Sequence, residues 1–253
     1  MNNLVQFENR DGIGILRLSN PDQLNVLDSA MVQALTDALT DIRQQPLHVL
    51  IVTGEGKAFV AGASIKEMSS LSPEQSKVFA ENGHQAFHLL EDMPWPTIAM
   101  INGFALGGGS ELALACDLRF ASERAKLGQP EVTLGICPGY GGTQRLARLI
   151  GPSKAMDIIF TGRIIPAADA LTMGWVDRVY PADTLEAETL AYAESIKKNS
   201  AHAIARSKAA IRAGLEGGDG YQAEIDEFGA CFAHPDQREG MTAFLEKRPP
   251  AYK

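Results

Sequence analysis

The chain has 253 residues, 45% of them hydrophobic, and a formal net charge of −8 at pH 7. A chain of this length can bury a core of its own, and its acidic balance argues against nucleic acid as a partner. No apolar run approaches the roughly 18 residues that span a bilayer, so we also expect no membrane partner.

The first half of the chain alternates strand and helix patterns. Asp28 is placed to cap one helix, and Ser72 followed by Pro73 is a strong start signal for another. The helices are predicted over 29–44 and from 73 to about 91, and the strands over 5–7, 13–18, 48–53, 97–101 and 118–121. This alternation predicts right-handed crossovers and a largely parallel sheet.

After about Gly141 the pattern becomes mainly helical, with one predicted strand at 176–179. Helices are predicted over 142–150, 153–160, 167–171, 185–197, 202–215, 221–232 and 236–245. The chain therefore divides into an α/β portion and a C-terminal helical portion, without an obvious flexible linker between them.

The stretch from Ile98 to Asp117 carries the strongest functional signal. An apolar strand leads into three consecutive glycines at 107–109, and a buried helix is predicted to follow. Glycine costs a helix about 1 kcal/mol relative to alanine, so something is expected to approach this backbone closely. A helix N-terminus also presents unpaired N–H groups to negative charge. Glu111 lies one turn after Gly108, which suggests acid–base chemistry on a carbonyl compound.

Two other segments are candidates for the same site. Glu131 stands between Pro130 and an apolar segment, where it is either a functional carboxylate or a solvated loop residue. The segment 58–66 follows a strand, and its small residues around Gly62 would let a flat ligand rest against the main chain. Its alternative interpretation is an ordinary loop between a strand and a helix.

Together these segments form an ordered pattern across nearly the whole chain. The chain resembles the crotonase superfamily and, within it, the enoyl-CoA hydratases. The match rests on FVAGASIKEM at 59–68, NG at 102–103, GGGSELA at 107–113, GQPE at 128–131, PGYGGTQRL at 138–146 and EGMTAFLEKR at 239–248. Each motif is weak alone, whereas the ordered set is specific for the superfamily.

The resemblance implies an oxyanion hole made by the backbone N–H groups of Ala63 and Gly108, which would hold the thioester carbonyl of an acyl-CoA. It also implies that Glu111 and Glu131 are the catalytic carboxylates. In the family, the residue matching Glu131 is usually assigned the proton at C2 and the one matching Glu111 the water; the sequence leaves that division open. Two carboxylates around one water can share these roles by having unequal pKa values.

The presence of both carboxylates favours one activity within the superfamily. Relatives that isomerise, decarboxylate or hydrolyse acyl-CoAs often lack one of the two. We therefore expect reversible syn addition of water to trans-2-enoyl-CoA, giving 3-hydroxyacyl-CoA. The alternatives are an enoyl-CoA isomerase, another acyl-CoA enzyme of this fold, and a non-catalytic acyl-CoA or RNA-binding protein. No metal or redox cofactor is expected, since coenzyme A is part of the substrate.

The resemblance also places the coenzyme A. It would lie across 61–66, with the adenine near Ala61 and Ile65, and Ser64 and Lys66 beside it. Phe244 and Lys247 would reach the same coenzyme A, from the same or a neighbouring subunit. Lys66 and Lys247 are either phosphate partners or solvated surface lysines.

The sequence departs from the family pattern at two of these positions. Ser64 replaces a common Asp, which puts a helix-start interaction in doubt, and Asn20 replaces a common Arg or Lys, which puts one phosphate contact in doubt.

The expected architecture is α/β, a crotonase-like ββα spiral core over 1–195 with a C-terminal helical trimerisation region over 196–253. By resemblance the chain should form homotrimers, commonly paired into hexamers. Residues 1–4 lack the basic start and apolar core of a signal peptide, and the three cysteines are too widely spaced for a disulfide framework. A soluble cytoplasmic protein is expected.

Two further features leave alternatives open. His84 and His88 are spaced i, i+4 on a predicted helix, but no convincing third ligand accompanies them, and no metal site is expected. Tyr140 lies in the glycine-rich loop 138–142, where it either lines the acyl pocket or packs in the core.

Overall fold

Two sheets carry the fold within residues 4–252, the part of the chain that this computed structural model describes. One sheet has six strands and the other has four. The strands are β1 Val5–Arg10, β2 Ile13–Leu18, β3 Val49–Gly54, β4 Ala58–Val60, β5 Thr97–Ile101, β6 Phe104–Leu106, β7 Leu118–Ser122, β8 Lys126–Gly128, β9 Ile164–Pro166 and β10 Arg178–Tyr180.

The larger sheet has the strand order β1-β2-β3-β5-β7-β10. Strands β1 and β2 form an antiparallel hairpin, and every other neighbouring pair is parallel. Asp11 and Gly12 both have positive φ, 51° and 85°, as the predicted turn between the first two strands requires. The predicted, largely parallel sheet is therefore confirmed.

The smaller sheet has the order β4-β6-β8-β9. The chain alternates between the two sheets from β3 to β8, which produces the expected ββα spiral. The chain runs through three strand pairs, β3–β4, β5–β6 and β7–β8. In each pair the first strand joins the larger sheet and the second joins the smaller one. Each turn of the chain therefore brings a loop and a helix start to the same side of the molecule, which gathers residues from distant parts of the sequence.

Helices cover the sheets and form the C-terminal part. Asp28 accepts a hydrogen bond from the Met31 N–H at 2.8 Å, and Ser72 and Gln75 form a reciprocal capping box. The helices are α1 Ser29–Ile42, α2 Ile65–Met68, α3 Pro73–Glu91, α4 Gly108–Ala115, α5 Gly142–Ile150, α6 Pro152–Thr161, α7 Ala167–Met173, α8 Leu185–Lys197, α9 Ala201–Leu215, α10 Gly220–Phe232 and α11 Pro235–Leu245. Short 3₁₀ turns occur at Pro21–Gln23 and Glu131–Leu134.

The central strands of the larger sheet are buried on both faces. In β2, Leu16 and Leu18 pack into the main core, whereas Ile13 and Ile15 belong to a second apolar cluster that includes Leu185 of α8. Burial of both faces accounts for the continuous apolar runs in the central strands. It also makes the sheet a rigid support for the loops at its edge.

One expectation for the second half of the chain was wrong. A single strand was predicted after residue 141, at 176–179, but two strands occur there, β9 Ile164–Pro166 and β10 Arg178–Tyr180. β9 has three residues and pairs antiparallel with β8 at the edge of the smaller sheet. A strand this short has no measurable alternation, and proline is tolerated only at such an edge.

The expected division after residue 195 stays a prediction. Helix α8 ends at Lys197 and packs on the larger sheet, while α9 and α10 pack against each other and α11 against α10. In the described residues 4–252, no helix is both long and apolar enough to cross a bilayer. Residues 1–3, which bear on the expected cytoplasmic location, lie outside the described part, and that location also stays a prediction.

Candidate active site

The glycines at 107–109 serve the close packing of the chain on itself. A Cβ on Gly109 would lie 2.0 Å from the Val60 carbonyl oxygen, so α4 begins directly against β4. Gly107 has φ +49°, and a Cβ there would lie 2.9 Å from Oε1 of Glu131. The predicted close approach therefore occurs, and the approaching groups are a neighbouring strand and a carboxylate.

Two backbone N–H groups lie on adjoining segments at this helix start. Gly108 belongs to the first turn of α4, where no preceding helical carbonyl is available. Leu27 bonds to the residues on either side of Ala63, its N–H to Gly62 and its carbonyl to Ser64, both at 2.9 Å. In such a bridge the N–H of Ala63 points away from Leu27. The Gly62 Cα lies 4.0 Å from where a Gly107 Cβ would be, so the two segments touch.

Glu111 is buried in the first turn of α4, with a relative exposure of 2%. Its Oε1 accepts hydrogen bonds from the N–H groups of Tyr140 at 2.8 Å and Gly142 at 2.7 Å. These donors come from the glycine-rich loop before α5, so the loop fixes the orientation of the carboxylate. The sequence assigned Glu111 to the site, but it did not indicate that loop as its anchor.

Glu131 begins a 3₁₀ turn after β8 and is 9% exposed. The side-chain amide of Gln129, oriented to donate, lies 2.9 Å and 3.2 Å from the two carboxylate oxygens of Glu131. Gln129 is fully buried, and sequence reasoning assigned it no role. The available signal was its position two residues before Glu131, where an amide that becomes buried needs a hydrogen-bond partner nearby.

The two carboxylates are coupled electrostatically but have different surroundings. Burial, and then the negative charge of Glu111, raise the pKa of Glu131 to about 7. Burial also raises the pKa of Glu111, while the hydrogen bonds from Gly142 and Tyr140 oppose that rise. The donors on Glu111 favour its ionised form, so near neutral pH a proton on this pair is held more readily at Glu131.

Arg145 supports the loop from behind. Its guanidinium donates to both carboxylate oxygens of Glu91 at 2.8 Å and 2.7 Å, and to the Tyr140 carbonyl at 2.7 Å. Burial alone would raise the pKa of Glu91, and the Arg145 hydrogen bonds and charge lower it below its ordinary value. The arginine therefore ties α3, α5 and the loop together. Sequence reasoning identified Arg145 only as part of a motif.

The predicted coenzyme A residues fall into two separate groups. Ala61, Ser64, Ile65 and Lys66 lie together at the start of α2, where Ile65 is 57% exposed and Lys66 is exposed. Ser64 accepts a hydrogen bond from the Glu67 N–H at 3.2 Å, so the helix start expected to be altered by the loss of Asp keeps its cap.

The second group lies at the C-terminal end of α11. Phe244 is 82% exposed, and Lys247 is exposed with a φ of +55°. Among the hydrogen bonds and ion pairs of residues 4–252, none joins Phe244 or Lys247 to the segment 61–66 of the same chain. The two groups therefore share no polar contact within residues 4–252.

The histidine pair on α3 is an aromatic pair with one partly buried member. The rings of His84 and His88 have centroids 5.8 Å apart. Burial, followed by the charge of Arg145, lowers the pKa of His84. Within residues 4–252, no group of three or more histidine, cysteine or acidic side chains is arranged to hold a metal ion.

A family model described as enoyl-CoA hydratase/isomerase matches residues 8–253. The chain belongs to the enoyl-CoA hydratase/isomerase family. It is 44% identical to a crotonyl-CoA hydratase from Syntrophomonas wolfei over 248 residues, covering 96% of this chain and 95% of that protein. It is 40% identical to a short-chain-enoyl-CoA hydratase from Clostridium acetobutylicum over 252 residues, covering 98% and 96% respectively.

Solved structures of this family show the same fold. The crystal structure of an enoyl-CoA hydratase from Bacillus anthracis superimposes with a TM-score of 0.95 at 40% identity, covering 99% of each chain. An enoyl-CoA hydratase structure from Geobacillus kaustophilus gives a TM-score of 0.94 at 38% identity, covering 99% of this chain and 98% of that one. The predicted crotonase-like α/β architecture is confirmed.

Proposed function

We propose that this family member is an enoyl-CoA hydratase, which adds water reversibly to trans-2-enoyl-CoA and gives 3-hydroxyacyl-CoA. One observation carries the proposal: two buried, electrostatically coupled carboxylates, Glu111 and Glu131, lie at a helix start that presents the Gly108 N–H. The names of the relatives support the same activity, since they are themselves described as hydratases of crotonyl-CoA and short-chain enoyl-CoA.

In the proposed reaction, the N–H groups of Ala63 and Gly108 hold the thioester oxygen. Water attacks C3 while the C2–C3 electron pair shifts toward the thioester, so negative charge develops on that oxygen. Preorganised donors stabilise this enolate more than the ground state, and one such donor contributes about 3 kcal/mol in other enzymes. As the charge returns to C2, a C–H bond forms there and the thioester carbonyl is restored.

The two carboxylates divide the protons of this reaction. Ionised Glu111, held by two backbone N–H groups, takes a proton from the attacking water. Protonated Glu131, whose pKa is raised to about 7, gives its proton to C2. After one turnover the pair still holds a single proton, now on the other partner. Dehydration is the same sequence in reverse and starts from that second arrangement.

The proposed chemistry moves no electrons to or from an external acceptor. Addition of water to an activated double bond needs only acid–base catalysis and stabilisation of the enolate. We therefore propose that no separate cofactor takes part, and that coenzyme A is the part of the substrate that 61–66 binds.

We also propose a trimeric assembly, and a different observation supports it. The C-terminal helices expose large apolar side chains that a monomer would leave in water: Ile211, Leu215, Tyr221, Ile225, Phe228, Phe232, Met241, Phe244 and Leu245. Exposed apolar surface of this kind marks interaction sites. In a homotrimer or a pair of trimers these side chains would be covered. Phe244 and Lys247 would then reach the coenzyme A site of a neighbouring subunit.

The test of the activity is hydration of crotonyl-CoA, followed by loss of its ultraviolet absorbance, beside isomerisation of a 3-enoyl-CoA. We expect turnover of crotonyl-CoA and much slower conversion of the 3-enoyl substrate. Folded protein that isomerises 3-enoyl-CoA but hydrates no 2-enoyl-CoA of any chain length is an isomerase, the nearest alternative. Conversion of neither substrate would favour a non-catalytic acyl-CoA-binding protein.

A further inference from the structure

A glycine in the middle of α3 forms a notch between two aromatic rings. Phe79, Gly83 and Phe87 are spaced four residues apart and therefore lie along one face of the helix. A glycine inside a helix costs about 1 kcal/mol relative to alanine, so this position needs a reason. The reason is the ring of Tyr140, which a Cβ on Gly83 would meet at 2.3 Å.

The Tyr140 ring lies between this notch and the proposed oxyanion glycine. Its Cδ1 and Cε1 edge faces Gly83, and its opposite edge faces Gly108, where a Cβ would lie 3.2 Å from Cδ2 and 3.4 Å from Cε2. The rings of Phe79 and Phe87 enclose it, with centroids at 5.6 Å and 5.5 Å. The ring has little freedom to shift without moving α3 or the start of α4.

The backbone of the same residue connects to the catalytic pair. The Tyr140 N–H donates to Glu111 at 2.8 Å, and its carbonyl accepts from Arg145 at 2.7 Å. The phenolic oxygen, in contrast, is buried and has no hydrogen-bond partner within residues 4–252. Steric contacts therefore hold the ring in place, and its hydroxyl bonds to no other group within residues 4–252.

We propose that Gly83 and Tyr140 are positioning residues. The ring is a spacer, seated in the Gly83 notch, that sets the Glu111 carboxylate relative to the Gly108 N–H. This inference rests on the proposed hydratase function and adds to it a size-matched pair that supports the proposed catalytic groups from behind. Lengthening the 2.3 Å contact to an ordinary van der Waals distance in a Gly83→Ala variant would move the ring by about 1 Å, and displacements of that size can cost roughly 100-fold in rate.

The test is a double-mutant cycle assayed with crotonyl-CoA. Gly83→Ala should lower kcat at least tenfold with KM changed less than threefold. Tyr140→Phe keeps the ring and should retain wild-type kcat. In a Tyr140→Ala background, where the ring is absent, adding Gly83→Ala should lower kcat no further. Gly229→Ala is the matched control, since it changes a helical glycine with nothing within 4 Å of the new Cβ, and it should leave kcat unchanged.

A second measurement tests the hydrogen bonds to Glu111 without relying on an activity assay. Amide hydrogen exchange at Tyr140 and Gly142, which both donate to Glu111, should be faster in Gly83→Ala than in wild type or Gly229→Ala. Unchanged exchange in Gly83→Ala, or an equal loss of kcat from Gly83→Ala with and without the Tyr140 ring, would overturn the inference. A wild-type protein that hydrates no 2-enoyl-CoA of any chain length would overturn the proposed function instead, and the exchange result would still decide the positioning.

Discussion

Glu111 and Glu131 are the same residue type, but their immediate partners differ. Glu111 accepts two backbone N–H groups, whereas Glu131 has the neutral amide of Gln129 beside it. Backbone donors favour an ionised carboxylate, and the charge on Glu111 then makes ionisation of Glu131 harder. The pair therefore keeps one proton over a window of pH, which is the state that both directions of the proposed reaction require.

The pH dependence of kcat/KM should follow from this shared proton. The basic limb should have an apparent pKa near 7, where Glu131 loses its proton and the pair becomes doubly ionised. Hydration of crotonyl-CoA and dehydration of 3-hydroxybutyryl-CoA should show the same limbs, because each starts from the singly protonated pair. Initial rates in both directions across pH 5–9 would measure this. A basic limb present in one direction only would contradict the shared proton.

The raised pKa of Glu131 also predicts a stability effect. Below pH 4.5 the residue is protonated in both the folded and the unfolded chain, so it costs nothing. Between pH 4.5 and 7 the unfolded chain ionises this carboxyl while the folded chain keeps it protonated, so stability falls by on the order of 3 kcal/mol and levels off above pH 7. Glu131→Gln removes this cost. Its free energy of unfolding in denaturant should therefore exceed that of wild type at pH 8 and match it near pH 4. A variant less stable than wild type at pH 8 would contradict the assignment.

At the scale of elements, the long ones were predictable and the short ones were not. Helix α3 has its capping box and nineteen residues of pattern, and β5 is a continuous apolar run, so local sequence identifies both. The smaller sheet consists of three-residue strands such as Ala58–Val60 and Lys126–Gly128. Strands of this length show no periodicity, and only their pairing partners define them.

The site divides in the same way. Glu111, Glu131 and the triple glycine carry local signals, because buried carboxylates and helix-start glycines are unfavourable without a task. Gly83 and Tyr140 are 57 positions apart, and their fit exists only once α3 lies against the loop. Helix propensity alone predicts that Gly83 destabilises α3. The fit between Gly83 and the Tyr140 ring arises from tertiary packing, so no single stretch of sequence predicts it.

The ion pair between Arg145 and Glu91 tests whether α3 and α5 stabilise each other. Arg145→Gln would leave the largely buried Glu91 carboxylate without its bidentate partner and should cost about 3 kcal/mol in the free energy of unfolding. Adding Glu91→Gln should recover part of that loss. Arg148→Gln is the matched control, being an exposed arginine one turn further along α5. Equal unfolding midpoints for the Arg145 and Arg148 variants would show that the pair does not join α3 to α5.

At the scale of the whole molecule, the proposed trimer would bring the two predicted coenzyme A groups together at one site. Within residues 4–252 no hydrogen bond or ion pair joins Lys247 to the segment 61–66, and the C-terminal helices expose a large apolar surface. Light scattering should therefore give the mass of three or six chains. A stable monomer with full activity would exclude a neighbouring subunit from the site.

Lys247 offers a separate test of the predicted coenzyme A contact. If it binds a coenzyme A phosphate, Lys247→Ala should raise KM for crotonyl-CoA about tenfold. The same variant should leave KM for crotonyl-pantetheine unchanged, because that substrate lacks the nucleotide. Lys198→Ala removes an exposed lysine at the end of α8 and serves as the control. A KM raised equally for both substrates would point to a folding defect, not a phosphate contact.

The most direct test of the account is the turnover of crotonyl-CoA by Glu111→Gln, Glu131→Gln and the double variant. General acid–base groups contribute roughly 10²–10⁴-fold each, and groups that act on one proton act as a unit. Each single variant should therefore lose at least about 100-fold in kcat, and the double variant should lose little more than the worse single one. A single variant with wild-type turnover, or losses that multiply in the double variant, would contradict the paired mechanism.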